Sequence, residues 1–210
     1  KAISKNLTAS VQNAPHFYMR KTMDAMRLLE VYKRQKKACG ASLNDLIILA
    51  VARTMMQFPA FRSRLDGEDV VEFPHANIGV AVGTDDGLRV PVLLNVDCMT
   101  LADLAAETRK VVQMARDGKS VNMGKGSFTI SNLGMFGVED FTAIINPPEA
   151  AILAVGAALE GIEVINGAIR PTRHMAVTLS SDHRLIDGLL AARFLNHLQG
   201  ILEEPEKLEN

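Results

Sequence analysis

The sequence predicts an α/β fold, one mixed-sheet α/β sandwich domain with helices packed on the sheet. Three observations predict it. Three segments carry apolar residues at helical spacing, the segments between them alternate as strands do, and two turn signals join neighbouring strands into hairpins. Hairpins inside the sheet replace strict βαβ repetition.

The elements follow in chain order. A weaker helix is expected over Met23 to Ala38, carrying Arg27, Lys33, Arg34, Lys36 and Lys37. A clear helix runs from about Leu43 to Phe58, with Leu46, Ile47, Ala50, Val51 and Met55 in its stripe. Ser42 and Asp45 resemble a capping box ahead of it. Ile78, Val80 and Val82 alternate with small residues, Thr84-Asp85-Asp86-Gly87 signals a turn, and an apolar run follows from Leu88 to Val96, so this region reads as a hairpin. A second clear helix covers about Leu101 to Arg116 behind Thr100 and Asp103. Ser127 to Ser131, Ala150 to Ala157 and Met175 to Ser181 read as strands. Asn166-Gly167 is a type I′ hairpin signal, because both central residues need positive φ. The third clear helix follows Asp187, with Leu190, Phe194, Leu195, Leu198 and Leu202 as its stripe.

Composition narrows the function classes. Hydrophobic residues make up 48% and charged residues 22% of 210 residues, enough apolar material for a substantial core. A net charge of -1 gives no basic field for nucleic acid or an anionic membrane surface. No apolar run approaches the roughly 18 residues of a membrane span. Cys39 and Cys98 stand far apart outside any CxxC pattern, so two buried thiols in a reducing compartment are expected, with no metal. No low-complexity linker or internal repeat is evident. The chain begins Lys1-Ala2-Ile3-Ser4 without Met, as expected of a fragment that has lost a targeting segment or further domains.

One stretch carries chemistry. Met175 to Ser181 gives way to Asp182-His183-Arg184-Leu185-Ile186-Asp187-Gly188 just before the third helix. His183 therefore sits at a strand-to-helix junction, where a rigid strand can hold a side chain at a cleft. Histidine suits proton transfer near neutral pH. Residue types alone leave plainer roles open: Asp187 as a helix N-cap, Gly188 as relief of crowding, His183 as a structural or exposed side chain.

The wider sequence shifts the weighting. The stretch Asp182 to Gly188 resembles the DHRxxDG signature of the dihydrolipoamide acyltransferases, the core component of 2-oxo acid dehydrogenase complexes. Phe128 to Gly137, Phe141 to Ala150 and Gly87 to Val92 resemble further segments of that family, in the family's order and over nearly the whole chain. The resemblance implies a trimeric fold like that of chloramphenicol acetyltransferase, with residues 1–210 as the catalytic domain and no lipoyl or peripheral-subunit-binding domain. It implies His183 as the general base on a thiol, Ser131 as the hydroxyl stabilising the tetrahedral oxyanion, and Asp187 as a holder of active-site geometry. His183 and Ser131 are then expected from different subunits.

The same resemblance implies CoA or acetyl-CoA as substrate, with Lys33 and Arg34 near its phosphates and Phe141 lining the pantetheine channel. A solvated helix face and ordinary core packing compete with those two assignments. The lipoyl group would arrive on a domain outside this chain. Ala14-Pro15-His16-Phe17-Tyr18 is similar to the segment of acetyl-transferring, pyruvate-linked members, and His16 is expected to be structural or substrate-lining. His75, His174 and His197 carry no site context. Expected partners are two further copies, a larger cubic or dodecahedral core and the other complex components, in bacterial cytoplasm or mitochondrial matrix. Two other readings stay open: a non-catalytic structural subunit of the same fold, and a free-standing chloramphenicol-type acetyltransferase.

Overall fold

The computed structural model describes residues 2–84 and 87–209. Its first half holds α1 (Ala2–Asn13), β1 (His16–Asp24), α2 (Met26–Ala38), α3 (Leu43–Gln57), β2 (Ser63–Asp66), β3 (Asp69–Glu72), β4 (Ile78–Val80), β5 (Val82–Thr84), β6 (Gly87–Arg89) and β7 (Val92–Leu93). The second half holds α4 (Leu101–Arg116), β8 (Phe128–Asn132), β9 (Ala151–Ile165), β10 (Ala168–Asp182) and α5 (Gly188–Glu203).

Six strands form the main sheet, in the order β1-β10-β9-β8-β4-β7. β8 runs parallel to β9 and to β4, and the remaining neighbours are antiparallel. This is the mixed sheet that the sequence predicts. Asn166 (φ 52°) and Gly167 (φ 78°) both take the left-handed region, which makes the β9–β10 connection a type I′ turn. The two strands are continuous over 15 residues each, about twice the apolar runs that announce them. Pro171 fits in β10 because β1 pairs only as far as His174, so that stretch is an open edge needing no N–H. The Asp85-Asp86 turn lies outside the described residues, but its flanks pair, with Thr84 opposite Gly87.

α3 is the central helix. Ser42 Oγ accepts from the Asp45 N–H (3.2 Å) and Asp45 Oδ2 accepts from the Ser42 N–H (2.7 Å), closing the expected capping box. Every residue from Leu46 to Ala52 is buried, as in a helix enclosed on all sides. Phe61, Phe128 of β8 and Phe194 of α5 stack, with centroids 3.9 Å apart for Phe61–Phe194 and 5.9 Å for Phe128–Phe194. This stack fixes α5 against β8, and truncating Phe194 to Ala would cost about 3–5 kcal/mol.

The structure also departs from the sequence reading. α2 begins at Met26, because Met23 and Asp24 end the edge strand β1. α1, β1 and the β2–β3 hairpin carry no signal strong enough to be read in advance. Cys39 is half-buried and Cys98 is exposed, which overturns the expectation of two buried thiols.

Candidate active site

His183 stands on the turn that carries the chain from β10 into α5. The Asp182 carbonyl accepts from the N–H groups of Leu185 and Ile186, both at 3.0 Å, and closes the turn. Ile186 is fully buried and anchors it in the core. The His183 N–H donates to the Pro15 carbonyl at 3.0 Å, and its ring meets Phe17 edge-on, centroids 5.3 Å apart. Asp182, almost fully buried, binds the Arg184 guanidinium through Nε–Oδ1 (2.9 Å) and Nη2–Oδ2 (2.5 Å). Backbone, ring and ion pair thus position His183, while its side chain stays exposed.

Asp187 does the capping work that its place before a helix suggests. Its Oδ1 accepts from the Leu190 N–H at 2.8 Å. A carboxylate there also meets the positive end of the helix dipole.

Ser131 lies on β8. Phe128 and Ile130 join the core beneath the helices, so strand alternation turns Thr129 and Ser131 to the other face. Ser131 is half-buried, and among the described residues its hydroxyl has no hydrogen-bond partner. A serine merely tied to nearby backbone would have one.

The sheet register measures the separation of the two side chains. Ser131 pairs with Ala154, and Ala154 with Thr178. His183 is therefore two strands over and five residues further along, roughly 10 Å across the sheet and about 16 Å along it. One protomer does not bring Ser131 to His183.

Two further groups lie near these residues: His16, expected to be structural or substrate-lining, and Glu149, which the sequence does not single out. His16 Nδ1 donates to the Ala14 carbonyl (2.8 Å) and its Nε2 accepts from the Ile145 N–H (3.1 Å), which assigns the tautomer. His16 is structural: it clamps the loop before β9 onto the segment whose Pro15 holds His183. Glu149 is buried between β8 and that loop. Thr129 Oγ1 donates to it at 2.5 Å and Asn146 Nδ2 at 2.8 Å. Burial pushes its carboxyl from 4.5 up to about 7, against the opposing pull of those two bonds. A Cβ on Gly126 would meet Glu149 Oε1 at 2.5 Å, so the space for this carboxyl is reserved by a residue with no side chain. No local pattern in the sequence announces it.

The residues expected near CoA are separate from this turn. Lys33 is exposed on α2. Arg34, beside it, is held by Glu209 through Nε–Oε1 (2.9 Å) and Nη2–Oε2 (2.7 Å). Phe141 is half-buried in the loop between β8 and β9, next to Asp140, which pairs with Arg20 at 3.0 Å.

Comparison with known proteins finds relatives over nearly the whole chain. The family described as 2-oxoacid dehydrogenases acyltransferase (catalytic domain) matches residues 1–209. A dihydrolipoyllysine-residue acetyltransferase component of the pyruvate dehydrogenase complex from Rickettsia bellii is 36% identical, over 98% of this chain and 51% of its own length. The chain spans about half the length of the curated relatives it matches. The solved dihydrolipoamide acetyltransferase of Azotobacter vinelandii superposes with a TM-score of 0.92 at 36% identity, covering 99% of this chain and 89% of that one. It was studied for the role of a serine, a histidine and an asparagine in its catalytic mechanism. The cubic core of a pyruvate dehydrogenase multienzyme complex gives 0.92 at 35% identity, with 99% and 89% covered. A chloramphenicol acetyltransferase gives 0.60 at 16% identity, with 94% of each chain covered, and shares the fold alone.

Proposed function

This chain belongs to the catalytic-domain family of the 2-oxoacid dehydrogenase acyltransferases, and from that premise we propose that it moves an acyl group, acetyl first among candidates, between dihydrolipoamide and CoA. The observation that carries the reading is the separation of Ser131 and His183. Each is accessible, and the two lie too far apart to act on one atom within a protomer. Exposed apolar side chains stand beside both: Met135 (84%) and Phe136 (71%) after Ser131, and Leu189 (62%) after Asp187. Such side chains are what a subunit contact covers. Three copies arranged in a ring would join the Ser131 half of one to the His183 half of the next.

Sequence intervals support the assignment. The serine, histidine and asparagine studied in the Azotobacter vinelandii enzyme lie 52 and four positions apart, and Ser131, His183 and Asp187 repeat both intervals. The third residue differs, an aspartate standing here where that enzyme has asparagine. Both side chains can accept the Leu190 N–H, so the cap survives the difference.

The chemistry follows from these groups. A thiol with a pKa near 8.5 is only a few per cent thiolate at pH 7. The neutral His183 imidazole takes the thiol proton as sulfur attacks the thioester carbonyl. The S–H bond breaks, the new S–C bond forms, and the carbonyl electrons move to oxygen. The Ser131 hydroxyl of the neighbouring subunit donates to that oxyanion. Collapse breaks the old C–S bond, and the imidazolium returns its proton to the departing thiolate. General-base help is worth about 10²–10⁴ in rate. One oriented oxyanion donor adds roughly 3–4 kcal/mol.

Lys33 offers a charge for a CoA phosphate on α2. A phosphate at Arg34 would have to displace Glu209, which makes Lys33 the better contact of the two. Phe141 offers an apolar wall for pantetheine. The thiol partner of CoA is a dihydrolipoyl group, and trimers build a larger core with the other components of the complex. Incubation with acetyl-CoA and dihydrolipoamide, followed by detection of acetyl-dihydrolipoamide, tests the reading. No transfer by the assembled protein would refute it, as would full activity in His183→Ala.

A further inference from the structure

A second cluster of reactive side chains lies outside this site. His75 precedes β4, and Asp97-Cys98 occupy a short 3₁₀ turn, Val96–Cys98, after β7. The fold brings them together. The Val96 N–H donates to the Ala76 carbonyl (2.9 Å), and Asp97 Oδ1 accepts from the Ala76 N–H (2.8 Å). Asn95, in the left-handed region at φ 53°, starts the turn, and its carbonyl accepts from the Cys98 N–H at 3.0 Å. One backbone bond and one bond from the Asp97 carboxylate staple the two segments together.

Three donor atoms converge there. Cys98 Sγ lies 3.6 Å from His75 Nδ1 and 3.4 Å from Asp97 Oδ2, and Nδ1 lies 2.9 Å from Oδ2. A tetrahedral zinc ion with bonds of about 2.3 Å to sulfur and 2.0–2.2 Å to nitrogen and oxygen needs ligand edges of about 3.6, 3.6 and 3.4 Å. Two observed edges agree within about 0.2 Å. The third is shorter because a hydrogen bond now holds it, and it opens by about 0.5 Å once both atoms bind the ion instead.

From this geometry we propose that His75, Asp97 and Cys98 form a binding site for a zinc-type divalent ion, one ion per chain, with water in the fourth position. Charge supports it. A thiolate and a carboxylate neutralise the ion, and the thiol proton leaves to solvent as the ion binds. Orientation supports it as well. The Asp97 carboxylate is fixed through its other oxygen by the Ala76 N–H, the kind of outer contact that holds a metal ligand in place. Sulfur, imidazole and carboxylate together suit zinc over magnesium or calcium, which take oxygen donors. Cys98 is exposed and the His75 side chain is 42% exposed, so the ion has an open path. The site is independent of acyl transfer, since none of its residues touches the His183 turn.

The test uses the purified chain stripped of metal, titrated with cobalt(II) and then with zinc against a chromophoric chelator. One equivalent of cobalt should give the intense visible bands of a tetrahedral ion with a sulfur-to-metal charge-transfer band, and zinc should displace it. Cys98→Ser should abolish the charge-transfer band, and His75→Ala should weaken zinc binding at least about tenfold. Cys39 stays in both variants, so a sulfur-bound spectrum surviving in Cys98→Ser would overturn the assignment. So would an octahedral, sulfur-free spectrum or the absence of stoichiometric uptake. Thermal unfolding without metal confirms that both surface variants are folded. Zinc should raise the melting temperature of the parent and leave that of Cys98→Ser unchanged.

Discussion

Asp182 and Arg184 grip each other across the residue between them, Nε–Oδ1 at 2.9 Å and Nη2–Oδ2 at 2.5 Å, and that residue is His183. The Asp182 side chain is 6% exposed, and Arg184 is its ion-pair partner. Arg184 is about half exposed, so solvent softens its loss. Arg184→Ala should lower stability by about 1–3 kcal/mol, the range for a buried acceptor left unsatisfied. With the turn loosened, kcat should fall by roughly 10–100-fold while KM for CoA changes little. Steady-state kinetics beside thermal unfolding check this. An unchanged kcat in a destabilised variant would reduce the pair to scaffolding.

Asp187 presents a cleaner separation of roles. Its carboxylate caps α5 through Leu190, and asparagine can do the same. Asp187→Asn should stay within a few tenths of a kcal/mol of the parent, while Asp187→Ala should lose about 1 kcal/mol. Chemical unfolding of both variants decides it. Equal losses would mean that charge rather than the cap bond matters there.

Glu149 makes stability depend on pH. Its carboxyl is raised from 4.5 to about 7 by burial. The folded state therefore holds a proton that the unfolded chain has released between those values. The stabilisation is complete below the unfolded pKa and is lost as pH rises through about 7. The span amounts to about 3 kcal/mol. Glu149→Gln keeps a neutral group in the space beside Gly126 and should flatten the profile between about pH 5 and 8. Unfolding free energies across that window provide the check, and a slope that survives in the variant would place its origin elsewhere.

What the sequence made legible was what local physics determines. α4 could be bounded at Leu101 and Arg116 because Thr100 accepts from the Asp103 N–H at its start and an apolar stripe continues behind it. The β9–β10 turn was readable because Asn166 and Gly167 tolerate positive φ. β1 was not, because an edge strand exposing Tyr18 and Arg20 has no continuous apolar run. Glu149 and the His75–Asp97–Cys98 cluster were hidden for another reason. Their chemistry arises from residues brought together over 20 positions or more, Thr129 to Glu149 and His75 to Asp97, by pairings that no local pattern encodes. Ser131 and His183 became a pair only through resemblance, and the sheet register then showed why one chain cannot join them.

That separation leads to the most demanding prediction. Ser131→Ala keeps His183, and His183→Ala keeps Ser131, so each variant alone should lose most activity, about 10²–10⁴-fold for the histidine. If the site forms within one chain, mixing the two variants changes nothing. If it forms between neighbours in a trimer, an intact site appears wherever a Ser131→Ala subunit supplies its histidine to a His183→Ala subunit that supplies its serine. Random reassembly of equal amounts gives about a quarter of the parent sites. Dissociating and reassociating the two variants together, with each alone as control, should therefore restore roughly a quarter of the parent rate. Activity that stays at the level of the separate variants after confirmed subunit exchange would mean that the serine and histidine of one site come from the same chain, and would overturn the shared interface site.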